Sequence, residues 1–213
     1  MNGMTHTLHR TGEIESLKKD YVVLVMSCRG FNDAGAAPKL VEALKILARY
    51  NPINMGDMKT GSIWTKDHNF EKIVEKATDT SIFHGVYKDI ETVKMVLKDL
   101  KDANLGMSVV VSGLYNETLN AAREIGLTPH TVMVSLGIWG KTDLLPEEPE
   151  ILDIQTMCGH GLISKNLVKK LAKDVKLGII SSDEAARTLA KCCTCGIFNV
   201  ERAKELIEKL VKK

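Results

Sequence analysis

Apolar residues recur with two periods along the first two thirds of the chain. Tyr21 to Met26 is a short, continuous, β-branched run, the pattern of a strand buried on both faces. Leu40, Val41, Leu44, Ile46 and Leu47 then repeat with helical spacing. Pro38 suits the first turn of that helix, and Asn51-Pro52 stops it near Tyr50. Phe70 to Lys76 predicts a short helix and Ser81 to Tyr87 a strand with His84 and Gly85 inside it. Asp89 is placed to cap a helix whose buried stripe is Ile90, Val93, Val96, Leu97 and Leu100, closed by Leu105-Gly106. Met107 to Val111 reads as another strand. Asn116 is expected to cap a helix through Ile125, stopped by Gly126, and His130 to Leu136 reads as a last strand.

Residues 21 to 112 therefore read strand, helix, strand, strand, helix, strand. This is the βαββαβ order of a ferredoxin-like α/β sandwich, extended by a further helix and strand. The alternative is an open, mainly parallel sheet, because strands ending in small polar residues recur after helices. Residues 1–20 form an N-terminal arm and 21–143 the sandwich. Leu144 to Pro149, with two prolines and two acids, marks a boundary. Residues 150–213 become helical: Leu162 to Leu177, a helix opened by the capping box of Ser181 and Glu184 that runs to about Lys191, and a last helix capped by Asn199.

That helical segment carries the chemistry. Four of the five cysteines lie between Cys158 and Cys195. Cys158 opens Cys158-Gly159-His160-Gly161; Cys192-Cys193-Thr194-Cys195-Gly196 closes the stretch. Cys192 and Cys195 make a Cys-x-x-Cys pair. Glycine beside a ligand cysteine lets backbone approach a metal. Three thiolates in the layout Cys … Cys-x-x-Cys can hold three corners of a [4Fe–4S] cube and leave one iron open. They can also hold zinc if His160 or Cys193 supplies a fourth ligand. A structural zinc site normally shows two separated ligand pairs, so the single pair here favours the cluster. In ligand layout this resembles the aconitase-type dehydratases, which implies an open iron acting as Lewis acid on a substrate hydroxyl. The likeness covers three cysteines and not the fold.

The sites expected are thus Cys158, Cys192 and Cys195 on the metal, with Cys193 competing with Cys192. His160 and Ser164 would serve as proton-transfer or hydrogen-bonding groups. Arg29, Lys59 and Thr60 would bind an anionic group of a small substrate. Lys59 and Thr60 lie in Gly56-Asp57-Met58-Lys59-Thr60-Gly61, a loop able to wrap an anion with backbone N–H groups, although it is no P-loop. Cys28 is either a buried small hydrophobe or a pocket residue. His6 or His9 in the arm, and His84 or His130, are further candidates for the pocket. The expected activity is an iron–sulfur lyase or sulfur-handling enzyme. The competing readings are a non-enzymatic binding module stapled by zinc and a thiol redox protein. In every metal reading Cys158 must meet the Cys192–Cys195 turn, although thirty-three residues lie between Cys158 and Cys192.

Composition narrows the partners. A net charge of +2 and 5% aromatic residues offer neither an electrostatic footprint nor a stacking platform for nucleic acid. The longest apolar runs are too short to cross a bilayer. The first residues lack an apolar core segment and a cleavage pattern, so a cytoplasmic protein is expected, with clustered cysteines kept reduced. A homo-oligomer is allowed by the sequence.

Overall fold

The structure is a computed structural model and describes residues 10–135 and 137–213. It is a mixed α/β fold. Among the described residues, five strands make one open antiparallel sheet and nine α-helices accompany it. Helix α1 (Ile14–Leu17) precedes β1 (Tyr21–Met26), α2 (Ala37–Ala48), β2 (Asn54–Asp57), β3 (Gly61–Ser62), α3 (Phe70–Glu75), β4 (Ile82–Tyr87), α4 (Ile90–Ala103), β5 (Ser108–Ser112) and α5 (Tyr115–Glu124). After a 3-10 turn at Thr142–Leu144 come α6 (Pro149–Thr156), α7 (Lys165–Lys176), α8 (Ser182–Ala190) and α9 (Val200–Val211).

The strand order is β3-β2-β4-β1-β5, with β4 in the centre and β5 at one edge. Each pairing is antiparallel: Val23 lies opposite Gly85 on β4 and Val111 on β5, and Gly56 lies opposite His84. The mainly parallel alternative is therefore corrected. The connections through α2 and α4 keep the strand sense, β2 running parallel to β1 and β5 to β4, but each skips one strand, so the strands that pair are antiparallel.

The continuous apolar character of β1 has a direct cause. Alternate side chains enter different cores. Tyr21, Val23 and Val25 pack with Phe83, Tyr87, Leu44, Val93 and Val96 beneath α2 and α4. Val22 and Leu24 pack with Val86, Ile154, Val168, Leu189, Ala203 and Ile207 beneath the C-terminal helices. The sheet is thus a middle layer, and residues 150–213 cover its second face. Burying about fifteen large apolar side chains on that face, at roughly 1.5–3 kcal/mol each, is the main attachment of the helical layer.

Caps fix where these helices start. Asp89, Asn69, Ser164, Ser181 and Asn199 each accept a backbone N–H of the first turn, and Ser181 and Glu184 complete the capping box. Two expectations need correction. Helix α5 opens at Tyr115 with Leu114 at the cap position, so Asn116 is not its cap. The further strand is not formed over His130–Ser135; these residues are exposed and unpaired, and Leu136 lies outside the described residues. The chain leaves α5 through Leu127-Thr128-Pro129 without returning to the β5 edge. Among the described residues no helix is long and apolar enough to cross a membrane.

Residues 10–20 lie across the helical layer. Thr11 bonds Asp153 and Thr156 on α6, and Arg202 on α9 donates to Ser16, Asp20 and the Thr11 carbonyl. His6 and His9 lie outside the described residues.

Candidate functional site

Two chain reversals meet on the second face of the sheet. The first follows α6, which ends at Thr156. Cys158 is buried there, and its carbonyl accepts the Gly161 N–H at 3.1 Å. The second follows α8. Cys193 N–H bonds the Ala190 carbonyl at 3.0 Å, and Gly196 N–H bonds the Cys193 carbonyl at 2.9 Å, closing a tight turn. Gly196 sits at φ +73°, and a Cβ there would stand 2.3 Å from the Ser62 Cβ and 3.0 Å from His84 Nε2. Only glycine lets this turn lie flat on the sheet.

The turn brings thiols together. Cys193 Sγ lies 3.6 Å from Cys195 Sγ, and Cys195 Sγ lies 3.6 Å from His160 Nδ1. Cys158 is buried in the same cluster as Cys193 and Cys195, near enough for the Cys193 side chain to raise its pKa. Cys158 therefore does meet the turn. Cys158, Cys193 and Cys195 are almost fully buried, while His160 stands at the surface beside them. Cys192 is turned away: half-buried, it donates to the Thr188 carbonyl at 3.9 Å.

Of the two adjacent cysteines, Cys193 is the one whose thiol lies against Cys195. Ala186, Leu189 and Ala190 form the buried stripe of α8. Cys192 follows the buried Leu189 by three residues and Cys193 follows the buried Ala190 by three, so the period does not separate them; the turn after α8 does, closed by the Gly196 N–H on the Cys193 carbonyl.

The neighbouring Cys193 side chain, with burial, holds the Cys158 thiol far above its ordinary value. Cys193 is lowered by Cys158, but Cys195 and burial outweigh this and push it up to about 11. Cys195 is lowered by Cys193 against burial, and the Ile197 N–H adds to the effect. Negative charge therefore settles first on Cys195, the sulfur beside His160.

Arg10 is the residue the sequence reading missed. Its buried guanidinium donates to the Ile197 carbonyl at 2.5 Å, to the Met157 carbonyl at 3.4 Å and to Asp20 at 2.5 Å. It thus ties the segment before Cys158 to the segment after Cys195. Burial lowers its pKa, while Asp20 and the nearby Cys193 and Cys195 raise it. Its Nε is buried with no hydrogen-bond partner, and Asp20 is shared with Arg202, whose Nη1 lies 2.9 Å away. Two guanidiniums around one carboxylate leave positive charge beside the sulfurs. Nothing in the local sequence of Arg10 signals this contact, which spans the whole chain.

Beneath the turn, His84 Nε2 lies 3.0 Å from the Gly196 carbonyl and donates to it. Burial lowers the His84 pKa to about 4, so the ring is neutral and Nδ1 is an unprotonated acceptor. Nδ1 has no partner, nor does Asn54 Oδ1 on the same sheet face.

The remaining expected residues lie elsewhere. Ser164 is the cap of α7, accepting from Asn166 N–H at 3.2 Å. Lys59 Nζ bonds Thr80 Oγ1 at 2.7 Å, Thr60 Oγ1 is buried without a partner, and Arg29 is exposed in the loop after β1. Among the described residues no hydrogen bond joins these three to the cysteines. Cys28 is exposed, so it is neither a core residue nor part of this cluster.

Among the described residues no three His, Cys, Asp or Glu side chains stand in coordinating geometry around one point. The Cys193 and Cys195 thiols contact each other instead. No protein-family model, no curated protein and no solved structure matches this chain.

Proposed function

We propose that Cys158, Cys193 and Cys195 hold a soft-metal centre with His160 on its solvent side. The convergence of three buried thiols and one imidazole from two distant segments carries this reading. Spacing supports it further. A tetrahedral zinc with bonds of about 2.3 Å to sulfur and 2.0–2.1 Å to nitrogen has sulfur–sulfur edges of about 3.8 Å and sulfur–nitrogen edges of about 3.6 Å. The Cys193–Cys195 and Cys195–His160 contacts are both 3.6 Å. Zinc needs rotation of the side chains about a common point. A [4Fe–4S] cube needs more, since its ligand sulfurs lie roughly 6–7 Å apart. The positive charge at Arg10 suits either centre, because three thiolates make both anionic.

The biochemical role follows from the open side. In the zinc form His160 would be the fourth ligand; in the cluster form three thiolates would hold three irons and leave the fourth iron open beside the exposed His160. A Lewis acid there would act on a small anionic substrate, in lyase or sulfur-handling chemistry, with His160 moving a proton. The scaffold fits a ferredoxin-like sandwich: leaving aside the short β3, the sheet reads β2-β4-β1-β5 with helices after β1 and β4. Free thiols at all five cysteines suit a reducing, cytoplasmic compartment.

Anaerobic purification with elemental analysis and a visible spectrum tests the reading. A brown protein with about four irons per chain identifies the cluster. A colourless protein with about one zinc identifies the mononuclear centre. Cys158→Ser, Cys193→Ser and Cys195→Ser should each lose the metal, and Cys192→Ser should keep it. A protein that binds neither metal after anaerobic reconstitution overturns the proposal.

A second reading rests on the same sulfur contacts. Cys193 lies 3.6 Å from Cys195, so these two thiols can give up two electrons and two protons to a disulfide acceptor and form an intrachain disulfide. Mass spectrometry of trapped thiols after mild oxidation decides. Absence of a disulfide at Cys193 removes this reading.

A further inference from the structure

The sheet ends on an open edge. β5 pairs with β1 and with no other described strand, and Val109 on it is 41% exposed. Natural edges usually carry charges, proline or a bulge that block further pairing. Met107 to Leu114 contains no charged residue.

The same chain holds an unused strand. Val132, Met133 and Val134 are 51%, 65% and 62% exposed, followed by Ile138 and Trp139, also exposed. The whole stretch from Ile125 to Gly140 carries no Asp, Glu, Lys or Arg, although 26% of the chain is charged. An exposed apolar run of this length marks a contact surface.

We propose that Thr131–Ser135 of one copy adds as a sixth strand to the β5 edge of a second copy, with the exchange made reciprocally. The pairing of faces supports this occupant over an unrelated one. On β5, Val111 packs into the core beneath α2 and α4, while Val110 packs into the core beneath the C-terminal helices. A strand laid beside β5 therefore meets an apolar neighbour on each face and suits apolar side chains on both. Val132 and Val134 would face one layer and Met133 the other. A strand fitted to an ordinary surface edge would alternate apolar and polar residues. Both halves of the contact belong to one chain, so a reciprocal exchange closes as a symmetric dimer and leaves neither half exposed. Main-chain hydrogen bonds would supply affinity and the three apolar side chains the register.

Light scattering on the full chain across roughly 1–100 μM, a range spanning common dimer affinities, tests this. The expected result is a dimer. Val134→Asp, on the added strand, and Val109→Lys, on the receiving edge, should each give a monomer with the circular dichroism and melting of a folded chain. Using one substitution on each side guards against a variant that fails to fold. A wild-type monomer throughout this range overturns the proposal, and so does a dimer that survives both substitutions. A monomer whose amides at 131–135 are protected from hydrogen exchange would place the strand in its own chain and likewise overturn it.

Discussion

His84, on the central strand, donates from Nε2 to the carbonyl oxygen of Gly196 at 3.0 Å. This bond joins the cysteine turn to the sheet. The turn's position is thus set by a buried neutral imidazole and by a glycine without a Cβ.

The imidazole gives an acid limb to stability. His84 is neutral in the fold with its pKa lowered to about 4, whereas an unfolded histidine titrates near its ordinary 6.5. The unfolded chain therefore binds more protons below that ordinary value, and the fold loses stability as pH falls from about 6.5 to 4. The full loss is on the order of 3 kcal/mol from this group, at 1.36 kcal/mol per unit. Above about pH 7 the contribution is constant. Urea unfolding across this range should show the limb in the wild type and a shallower one in His84→Gln. Equal limbs would assign the acid sensitivity to other groups.

Gly196→Ala should be severe. A left-handed conformation costs a non-glycine residue roughly 1–2 kcal/mol, and overpacking adds roughly 1–3 kcal/mol. Paired with Ser62→Gly, which removes the nearest atom at 2.3 Å, it should recover the packing part and leave the backbone part. A double-mutant cycle by chemical denaturation measures the split. Strict additivity would mean that the turn does not press on Ser62.

Arg10→Met should loosen the cysteine segments from each other. Breaking one partner of a buried ion pair costs about 3–5 kcal/mol. The low end is expected here, because Asp20 retains Arg202. Alkylation of Cys158, Cys193 and Cys195 should also accelerate relative to wild type under native conditions. Arg10→Lys, which keeps charge but not the forked donors, should fall between the two. Unchanged alkylation would show that the carbonyl ties do not close the site.

The five thiols should separate by access. Cys28 is exposed, Cys192 half-buried, and the other three buried. Iodoacetamide followed by peptide mapping should label Cys28 first and Cys192 next, with Cys158, Cys193 and Cys195 protected until the fold opens. Early labelling of Cys193 would contradict its placement within the cluster.

Local signals explain what was legible. Asp89, Ser181 and Asn199 announced their helices because a cap and its target lie within three residues. The run from Tyr21 to Met26 announced a strand covered on both faces. The coverage itself was harder to see: the helices over Val22 and Leu24 begin more than a hundred residues later. The same distance hid Arg10, whose partners Met157 and Ile197 share no local pattern with it. At the cysteines the sequence left Cys192 and Cys193 undivided, because both follow a buried residue of α8 by three and only the turn beyond the helix sets them apart. Over 130–135 the apolar, β-branched pattern reported strand character without naming a partner, and the chain supplies none in cis among the described residues.

Since β1 is apolar on both sides, polarity cannot set its register. In a half-solvated strand, a slip by one residue would turn apolar side chains to water and be rejected at once. Here a slip would only exchange the linings of two oily compartments. What rejects it is shape and reach. Tyr21 lies opposite Tyr87, and both project to the α2 and α4 side, where Glu117 takes the hydroxyl of one and the Leu47 carbonyl the hydroxyl of the other. Moved by one position, Tyr21 would press its ring against the helices that carry the cysteines and leave its hydroxyl dry. Two phenol oxygens thus keep the strand's count.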